Sequence, residues 1–554
     1  MPDSIRMNPP PNLSWDYLIV TASNDAQARA YESQLALRHQ FGALPNVREV
    51  LVVADPEGKR VGSGGSTLCC LMEVVNRELA ASRHDPTADA DIEAILRKLR
   101  ILIIHAGGDS RRLPAYGPCG KIFIPVPGQG SSELGCTLFD RLAPAFLNLP
   151  AGCAGQGQVV MAAGDALILF DPSNVSLSHP GLTALTCLDT PEHASKHGVF
   201  CAGTNGQVRL YLQKPDVAEQ RQLGAINADG RTLLDIGVMS FDSTLALALL
   251  RAYGIAPGAD GRLQWDAAAR QEVLVRGVDF YREICCAMGS EASAVHHFQQ
   301  ARSAGCAWDE WALGGVFTAL AGVPFHLETI PEARFLHFGT TRQLITSGIT
   351  LRQYDGVPAS ANAPLCLDSQ LLPGAEIAAN KAWIEGCRIA APLRLASNNV
   401  LIGVEWDRPL SLPENACLDV LSGLSRAAQR VWFIRPHGIG DTFKDTVAKG
   451  GTFCGRPLLD WITAVGVEPA ELWDSTLPAG QRSLWNARVF PAEPQSDAFR
   501  NWLWFFVPEQ ATAVQRQAFL AADRYSAAEI AVLADQDAFF ARRYKLRRAA
   551  ISAT

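Results

Sequence analysis

The sequence predicts an α/β protein in which a Rossmann-like domain with a largely parallel sheet precedes a parallel β-helix. Two observations carry this prediction. Apolar runs typical of buried strands alternate with helix-forming segments through the first half of the chain, an order that favours a parallel sheet. From residue 365 onward, apolar residues instead recur every six positions, which fits neither an α-helix nor a lone amphipathic strand.

The apolar strands of the first half end in glycine-rich turns. The runs 17–22 and 48–56 are predicted strands, and a helical segment follows the first of them. ILIIHAGG at 101–108 and QVVMAAGD at 158–165 each join a strand to a glycine turn. Ligands of parallel sheets bind beyond the carboxyl ends of the strands, so these turns form the expected binding edge.

The residues with a period of six are predicted to point inward from the short, stacked strands of a parallel β-helix, taken to be left-handed. An ordinary small β domain is the alternative. The positions are Leu365, Leu371, Ile377, Trp383, Ile389, Leu395 and Leu401, followed after a slip of one position by Leu412, Leu418 and Leu424.

Changes in composition divide the chain into four predicted parts. They are a flexible leader (1–14), an α/β domain (15–345), the β-helix (346–430) and a C-terminal helical or mixed segment (431–554). In the last part, Ser526 and Glu529 form a capping box ahead of a predicted helix. The basic residues of that helix, from Arg542 to Arg548, are expected to form a solvated face.

The bulk composition argues against several classes of function. A net charge of -7 gives no general attraction to nucleic acid or to anionic membranes. No apolar run approaches the roughly 18 to 20 residues that span a bilayer. Fourteen scattered cysteines without a CxxC pair fit reduced, buried thiols in a cytoplasmic protein.

A glycine pair and then two kinds of positive charge follow the strand that begins at Ile101. Gly107 and Gly108 let backbone approach an anion and offer N–H donors to it. Their spacing matches neither the P-loop pattern GxxxxGK[ST] nor the dinucleotide fingerprint GxGxxG. P-loop NTPases and nicotinamide enzymes are therefore not favoured.

The order AGGDSRRLP, then Lys121, then Pro125 and Val126 resembles the signature of sugar-1-phosphate nucleotidyltransferases. Further motifs resemble the GDP-L-fucose pyrophosphorylase (fucose-1-phosphate guanylyltransferase) family, from about Trp15 to near Arg543. These motifs are RVGSGGST, GKIFIPVP, VDFYREI, FLHFGTT and SLWNARVFP, in that order.

The family resemblance implies a reaction in which GTP and L-fucose 1-phosphate give GDP-L-fucose and pyrophosphate, with Mg²⁺. Some relatives carry a fucokinase domain downstream, which needs a phosphate loop of the type PxGGLGSS. Nothing of that kind follows residue 340. The transferase half alone is therefore expected.

The resemblance also implies residue roles. Arg112 would hold the leaving pyrophosphate, and Lys121 would meet charge near the reacting phosphorus. Cations and N–H donors suit this chemistry, because two anionic reactants must be held together in line. The implied nucleotide-binding residues of the glycine loop are Ala106, Gly107 and Gly108. Gly64 and Gly65 in the glycine-dense VGSGGST are predicted to form a second backbone wall around the nucleotide or phosphate, and the alternative is a tight turn before a helix in which these glycines are needed for geometry.

On the sugar side, Asp165 follows a strand where the superfamily has a magnesium-binding aspartate. Magnesium prefers one or two carboxylates together with phosphate oxygens and water. Lys214 in YLQKP is implied to contact the sugar phosphate, and Gly198 is implied to line the sugar pocket. Asp235 in LLDIGVMSF is implied to contact either the sugar or the metal. Gln213 replaces the usual acid, which leaves a sugar contact at that position in doubt.

The motif VDFYREI contains three polar residues that alternate along the chain. Asp279, Tyr281 and Glu283 would share one face of a strand. They are expected either to approach the sugar or metal or to make structural hydrogen bonds.

Only the resemblance supports guanine and fucose. The same chemistry on another sugar phosphate or base is one alternative, and a catalytically silent sugar-nucleotide binding module is another. Acyl transfer, which many hexapeptide β-helices serve, is less favoured because residues 365–424 contain no histidine. The sequence leaves the oligomeric state open.

Overall fold

The computed structural model describes residues 14–82, 89–108, 110–128, 134–203, 206–331, 333–357, 360 and 362–552. The predicted flexible leader therefore lies outside the described residues, except for Ser14. Internal contacts divide the chain into two compact units. One contains residues 1–108, 142–164 and 168–335, and the other contains residues 109–141, 165–167 and 336–554. The segment 109–141 thus groups with the C-terminal half of the chain, although the predicted boundary lies at residue 345.

The first unit is built on a nine-stranded mixed sheet. Four neighbouring strands run parallel, in the order Val47–Ala54, Trp15–Ala22, Arg100–His105 and Gln158–Ala163. Ile101 and Ile104 are completely buried, as a central parallel strand requires. The remaining strands are Thr232–Phe241, which is antiparallel to its neighbours, Leu182–Asp189, Phe325–Thr329, Gly198–Ala202 and Val208–Gln213.

The helices of the first unit follow the strands in the predicted alternation. The first, Asp25–Gln40, begins where the Asn24 side chain accepts a hydrogen bond from the Gln27 amide at 2.9 Å. The others are Gly62–Ser82, Asp89–Leu96, Pro191–Ala194, Val217–Gln222, Ser243–Ala252, Ala267–Arg276, Ala294–Ser303 and Glu310–Leu320. A small antiparallel hairpin joins Ile255–Pro257 to Leu263–Trp265. The helix Leu138–Leu147 and the strands Ala166–Leu169 and Arg334–His337 each contain residues of both units.

The predicted strand in VDFYREI is wrong. Phe280–Ile284 is a single turn of π-helix, and the Asp279 side chain caps it by accepting from the Tyr281 and Arg282 amides at 3.0 Å. Glu283 in turn accepts from the Asp279 amide at 2.6 Å. Both carboxylates are thus used in structural hydrogen bonds, one of the two roles that the sequence leaves open.

The second unit contains three ladders of short parallel strands, and the chain visits each ladder once per turn of about 17 to 18 residues. Trp383, for example, pairs with Leu365 before it and Val400 after it. The first ladder holds Leu365–Leu367, Trp383–Glu385, Val400–Ile402 and Ala416–Leu424; the second holds Gln370–Leu371, Arg388–Ile389 and Glu405–Trp406; the third holds Ile377–Ala378, Leu393–Leu395 and Leu410–Leu412.

The side chains of this coil follow the period of six with two clear exceptions. Trp383, Ile389 and Leu401 are completely buried, as predicted. Leu371 is 51% exposed on the first strand of its ladder, and Leu424 is 44% exposed at the last residue of its strand. Three parallel ladders are the arrangement expected of a parallel β-helix, and the left-handed sense stays a prediction.

The C-terminal residues extend the first ladder with antiparallel strands. Arg430–Gly438 pairs with Ala416–Leu424, and Phe490–Glu493 and Arg524–Tyr525 follow outward. A short hairpin joins Thr452–Phe453 to Arg456–Pro457. The helices of this unit are Thr341–Tyr354, Leu458–Val465, Ala513–Ala521, Ala527–Leu533 and Gln536–Ser552.

The predicted capping box is present, because the Ser526 and Glu529 side chains each bond the other's backbone amide. The expected solvated basic face is wrong. Arg543 is buried against Glu385, and Arg547 pairs with Asp368 at 3.1 Å. None of the helices in the described ranges combines the length and the apolar composition of a membrane span.

Candidate active site

In the first unit, the glycine turn after Arg100–His105 has two distinct parts. Ala106 is held within the fold, since its amide donates to the Thr21 hydroxyl and its carbonyl accepts from the Tyr31 hydroxyl, both at 3.1 Å. Gly108 has a φ of +134°, which side-chain-bearing residues rarely adopt. The amides of Gly107 and Gly108 make no hydrogen bond to a described residue. They fit the predicted role as N–H donors to an anion.

The second glycine motif, around Gly64 and Gly65, is used in packing. Both amides donate to the Val278 carbonyl, at 2.8 and 3.1 Å. A Cβ on Gly64 would lie 2.6 Å from the Val278 side chain, and one on Gly65 would lie 2.8 Å from Val61. These glycines let the start of helix Gly62–Ser82 approach the backbone before the π-turn. These contacts fit the alternative role of Gly64 and Gly65 in the geometry of the turn, and a wall around the nucleotide would have to form without their amide donors, which are already engaged.

Gly198 makes room for a protein side chain. A Cβ there would lie 1.9 Å from the Tyr211 hydroxyl. That hydroxyl donates to Asp235 Oδ2 at 2.8 Å and lies 3.4 Å from Gln213 Oε1. Tyr211 therefore fills the space that a side chain at position 198 would need, and the predicted place of Gly198 beside the sugar stays a prediction.

Asp235 is a buried carboxyl whose hydrogen bonds do not offset its desolvation. Burial raises the pKa of Asp235 from 3.8 to about 6, although the Gly237 amide and the Tyr211 hydroxyl both donate to it. Gly237 has a φ of +74°, and its missing side chain leaves space close to the Tyr281 hydroxyl. The sequence does not predict that Tyr211 supports Asp235, and the alternation of Tyr211 with Gln213 in YLQKP is the only sequence signal for this contact.

Lys214 is held in an unusual backbone conformation. Its φ is +56°, in the left-handed region that disfavours residues with a Cβ, and its amide donates to the His197 carbonyl at 3.0 Å. The side chain is exposed and has no ion-pair partner among the described residues. A strained, unpaired lysine fits the predicted contact with an anionic sugar phosphate.

His105 joins the two glycine motifs, and the sequence analysis does not identify it. Burial lowers the pKa of His105 to about 4, so the ring is neutral near pH 7. Its Nε2 lies 3.1 Å from the Thr67 hydroxyl, which already donates to the Ser63 carbonyl. The Thr67 oxygen therefore accepts from His105, which assigns the ring proton to Nε2.

In the second unit, two predicted site residues lie side by side. Lys121 Nζ is 3.5 Å from Asp165 Oδ2, and the two side chains are 17% and 49% exposed. The Lys121 stem is held in a short 3-10 turn, Lys121–Phe123, whose other two side chains are buried. This turn presents the ammonium next to a carboxylate that solvent reaches.

The two consecutive arginines of the loop have different surroundings. The Arg111 guanidinium lies 5.6 Å from the Trp485 ring centroid, as in a cation–π contact. The carbonyl of Arg112 accepts from the Thr341 amide at 3.2 Å, and its guanidinium has no ion-pair partner within the described ranges. A Cβ on Gly339 would lie 3.8 Å from Arg112 Nη2, so the FGTT motif leaves space beside this guanidinium. The predicted choice of Arg112 over Arg111 as the phosphate ligand fits these contacts.

The carboxylate of Asp165 fits a magnesium ion that is bound mainly through substrate phosphates. One carboxylate, partly open to solvent, is enough when phosphate oxygens and water complete the shell. The described residues contain one cluster with three metal-ligating side chains, at Cys417, Asp419 and His437. There Arg435 Nε already lies 2.8 Å from Asp419 Oδ1, so a cation of the protein occupies this carboxylate.

Comparison with known proteins agrees with the order of the motifs. Residues 93–495 match the Fucose pyrophosphorylase domain. The chain belongs to the fucose pyrophosphorylase family.

Alignments with curated relatives of this family cover most of the chain. It is 26% identical to the bifunctional fucokinase/GDP-fucose pyrophosphorylase of Arabidopsis thaliana, over 89% of this chain and 48% of the plant protein. It therefore spans about half the length of the curated bifunctional relatives it matches. The human fucose-1-phosphate guanylyltransferase is 22% identical, over 86% of this chain and 81% of the human protein.

Among solved structures, a mannose-1-phosphate geranyltransferase from Thermus thermophilus aligns over 75% of this chain and 94% of its own. Its TM-score is 0.27 and its identity is 11%. A likeness at this level bears on neither fold nor function.

The fucose pyrophosphorylase match includes Arg112, Lys121, Asp165, Lys214 and Asp235. It begins after Gly64 and Gly65, which the contacts assign to packing.

Proposed function

We propose that this chain forms GDP-L-fucose and pyrophosphate from GTP and L-fucose 1-phosphate. A phosphate oxygen of the sugar phosphate attacks the α-phosphorus of GTP. The bond from that phosphorus to the oxygen bridging to the β-phosphorus breaks, and pyrophosphate leaves with the electron pair. The observation that carries the proposal is the pairing of Lys121 with Asp165 at 3.5 Å inside the fucose pyrophosphorylase match.

The residues of the second unit supply positive charge. Lys121 would turn from Asp165 to the α-phosphate, where charge builds up as the new bond forms. Arg112 would hold the β- and γ-phosphates, since its guanidinium is exposed and its backbone is fixed by Thr341. Preorganised cations of this kind need no rearrangement at the moment of reaction.

The family resemblance assigns backbone donors and sugar contacts to four further residues, Gly107, Gly108, Lys214 and Asp235. The unengaged amides of Gly107 and Gly108 would donate to phosphate oxygens of the nucleotide. Lys214 would meet the phosphate of the sugar, and Asp235, held by Tyr211 and Gly237, would accept from a sugar hydroxyl.

Asp165 is the residue that would hold magnesium. When bound, the ion would neutralise phosphate charge and so reduce the repulsion between the two anionic substrates. Asp165 has room for this role, because half of its side chain is exposed to solvent.

Two further points belong to this proposal. The coil of the second unit is proposed to wind left-handed, as its six-residue period predicts. A cytoplasmic location is also proposed, since ten of the fourteen thiols are buried as small apolar side chains would be.

A matrix of substrates tests the reaction. GTP, ATP, UTP, CTP and dTTP are each paired with L-fucose 1-phosphate, mannose 1-phosphate and glucose 1-phosphate, and pyrophosphate release is followed with magnesium present. GTP with L-fucose 1-phosphate should be the best pair, and pyrophosphate should appear only when a sugar phosphate is added.

Two results would reject the proposal in different ways. A tenfold preference for UTP or dTTP over GTP would make the enzyme a different nucleotidyltransferase. No pyrophosphate from any pair, together with tight binding of GDP-L-fucose, would make it a silent binding module. Lys121→Ala serves as the control for contaminating activity.

A further inference from the structure

A group of four buried side chains holds the loop that carries Arg112 and Lys121. Tyr116, between these two cations in sequence, receives a hydrogen bond from Trp383 Nε1 at 2.9 Å and donates to Glu385 Oε2 at 3.1 Å. Trp383 and Glu385 lie on one strand of the parallel coil, and all three of these side chains are completely buried.

Glu385 is in turn paired with the last helix. Arg543 Nη2 donates to Glu385 Oε2 at 2.6 Å, and Arg543 Nε lies 2.6 Å from Glu385 Oε1 as an ion-pair contact. The Arg543 guanidinium also stacks on the Phe539 ring, 3.2 Å from its centroid. Phe539 meets the Tyr116 ring edge-on, with centroids 6.2 Å apart.

A second buried arginine reaches the same loop. Arg435 Nη2 donates to the carbonyl of Pro114 at 2.9 Å, while its Nε pairs with Asp419 at 2.8 Å. Pro114 and Tyr116 are the first and last residues of one 3-10 turn. The loop is thus held through its backbone by one arginine–carboxylate pair and through a side chain by another.

Buried ion pairs are costly to desolvate, and apolar replacements of similar volume are often as stable or more stable. The stability of the fold alone therefore does not explain why two buried ion pairs both contact this short turn. Their geometry does fix the position of that turn, because each ends in directed hydrogen bonds and packs at full burial. Phosphate chemistry depends on such placement, since an error of about 1 Å can cost about 100-fold in rate.

We propose that the Glu385–Arg543 pair is a positioning device for the phosphate-binding cations, acting through Tyr116 on the turn that lies between Arg112 and Lys121. The coil and the last helix thereby help to position the cations of the proposed transferase. The proposal rests on the proposed function for its kinetic consequences only.

Three variants test it, each single variant with a matched control. Tyr116→Phe removes one hydroxyl and keeps the ring, and its control is Tyr253→Phe, a buried tyrosine whose hydroxyl has no partner among the described residues. Arg543→Met removes the cation, and its control is Arg542→Met, the neighbouring arginine, which pairs with the half-exposed Glu405 at 2.6 Å. The third variant, Glu385→Met with Arg543→Met, removes the pair together.

The expected result distinguishes a change in the position of the loop from a change in the stability of the protein. Tyr116→Phe and the double variant should lower kcat about 10- to 100-fold, with KM for GTP changed much less. The double variant should keep the wild-type melting temperature or exceed it. Hydrogen–deuterium exchange of the peptide 110–121 should become faster in both, while both controls keep wild-type kinetics and exchange.

Two results would overturn the proposal. The first is a kcat within threefold of wild type in the double variant, with unchanged exchange of 110–121. The second is a loss of kcat that appears only with a lower melting temperature and faster exchange throughout the coil, since that is a purely structural effect. If the wild type releases no pyrophosphate from any substrate pair, the proposed function fails, and the exchange experiment still decides whether the pair holds the loop.

Discussion

Lys121 Nζ lies 3.5 Å from Asp165 Oδ2, and this contact joins the turn Lys121–Phe123 to a residue of the same unit that is distant in sequence. This ion pair contributes little to the stability of the fold, because Asp165 is half exposed and ion pairs at the surface are weak. Breaking this ion pair therefore costs little, and each side chain is available for a new ligand. Lys121 would turn to phosphate, and Asp165 to magnesium.

The first prediction is that Lys121 contributes more to turnover than either arginine before it. A donor aimed at charge in the transition state contributes about 2.7–4 kcal/mol, so Lys121→Ala should lower kcat about 10²- to 10³-fold. Arg112→Ala should lower kcat by a smaller factor, because its guanidinium would hold the leaving phosphates. Arg111→Ala should leave kcat near wild type, because that guanidinium lies over Trp485.

Steady-state kinetics of the three variants, with circular dichroism to confirm folding, measures these effects. Lys121→Arg should rescue only in part, since a planar guanidinium does not replace a compact ammonium in a tight turn. A folded Lys121→Ala protein within threefold of wild type would contradict the assignment. So would an Arg111→Ala variant more damaged than Arg112→Ala.

The second prediction concerns magnesium. Asp165→Asn keeps the shape of the side chain and removes the charge that would hold the ion. It should lower turnover and shift the magnesium concentration for half-maximal rate upward, because the metal neutralises phosphate charge. Titration of magnesium at saturating GTP measures the shift, with Asp171→Asn, an exposed helix-capping aspartate, as the control. An unchanged magnesium curve with a near-normal rate would show that Asp165 does not bind the ion.

The coil can be predicted from the sequence because a short-range pattern determines it. A six-residue apolar period leaves few alternatives, and Trp383, Ile389 and Leu401 are buried as it requires. The sequence selects Lys121 and Asp165 by the turns in which they lie, one after AGGDSRRLP and one after QVVMAAG. The structure brings these two side chains within 3.5 Å of each other, and their roles stay predictions.

Other features depend on partners distant in sequence and leave no local signal. Gly198 is a glycine because the Tyr211 hydroxyl occupies the place of its side chain. Arg543 lies in a basic run that is typical of a solvated helix face, and only the fold reveals that Glu385 is its partner. The alternation in VDFYREI is typical of a strand, although Asp279 caps a π-turn there.

The third prediction uses the backbone of Lys214. At a φ of +56°, a residue with a Cβ is strained by about 1–2 kcal/mol relative to glycine. Lys214→Ala and Lys214→Gly should both raise KM for the sugar phosphate, because both lose the ammonium. The glycine variant should unfold at higher urea concentration than the alanine variant. Equal KM values for wild type and both variants would remove Lys214 from the site, and a more stable alanine variant would contradict the strain argument.

The last prediction follows from the buried carboxyl of Asp235. Its pKa of about 6 in the folded protein lies above its ordinary value of 3.8, because burial disfavours the charged form. Below both values the carboxyl is protonated in either state and costs nothing. As the pH rises from about 4 to about 6, the unfolded chain releases this proton first, so the folded state loses stability relative to it.

The size of this loss is on the order of 2–3 kcal/mol, and it is fully present above pH 6 or so. Asp235→Asn cannot ionise, and its amide oxygen can still accept from the Gly237 amide. The free energy of unfolding of wild type minus that of Asp235→Asn should therefore fall between pH 4 and pH 7. The difference is needed because Asp55, with a pKa also raised to about 6 by burial, titrates over the same range in both proteins. Urea unfolding at several pH values measures this difference in free energy. A difference that is flat or rises with pH would show that the pKa of Asp235 is not raised in the folded protein.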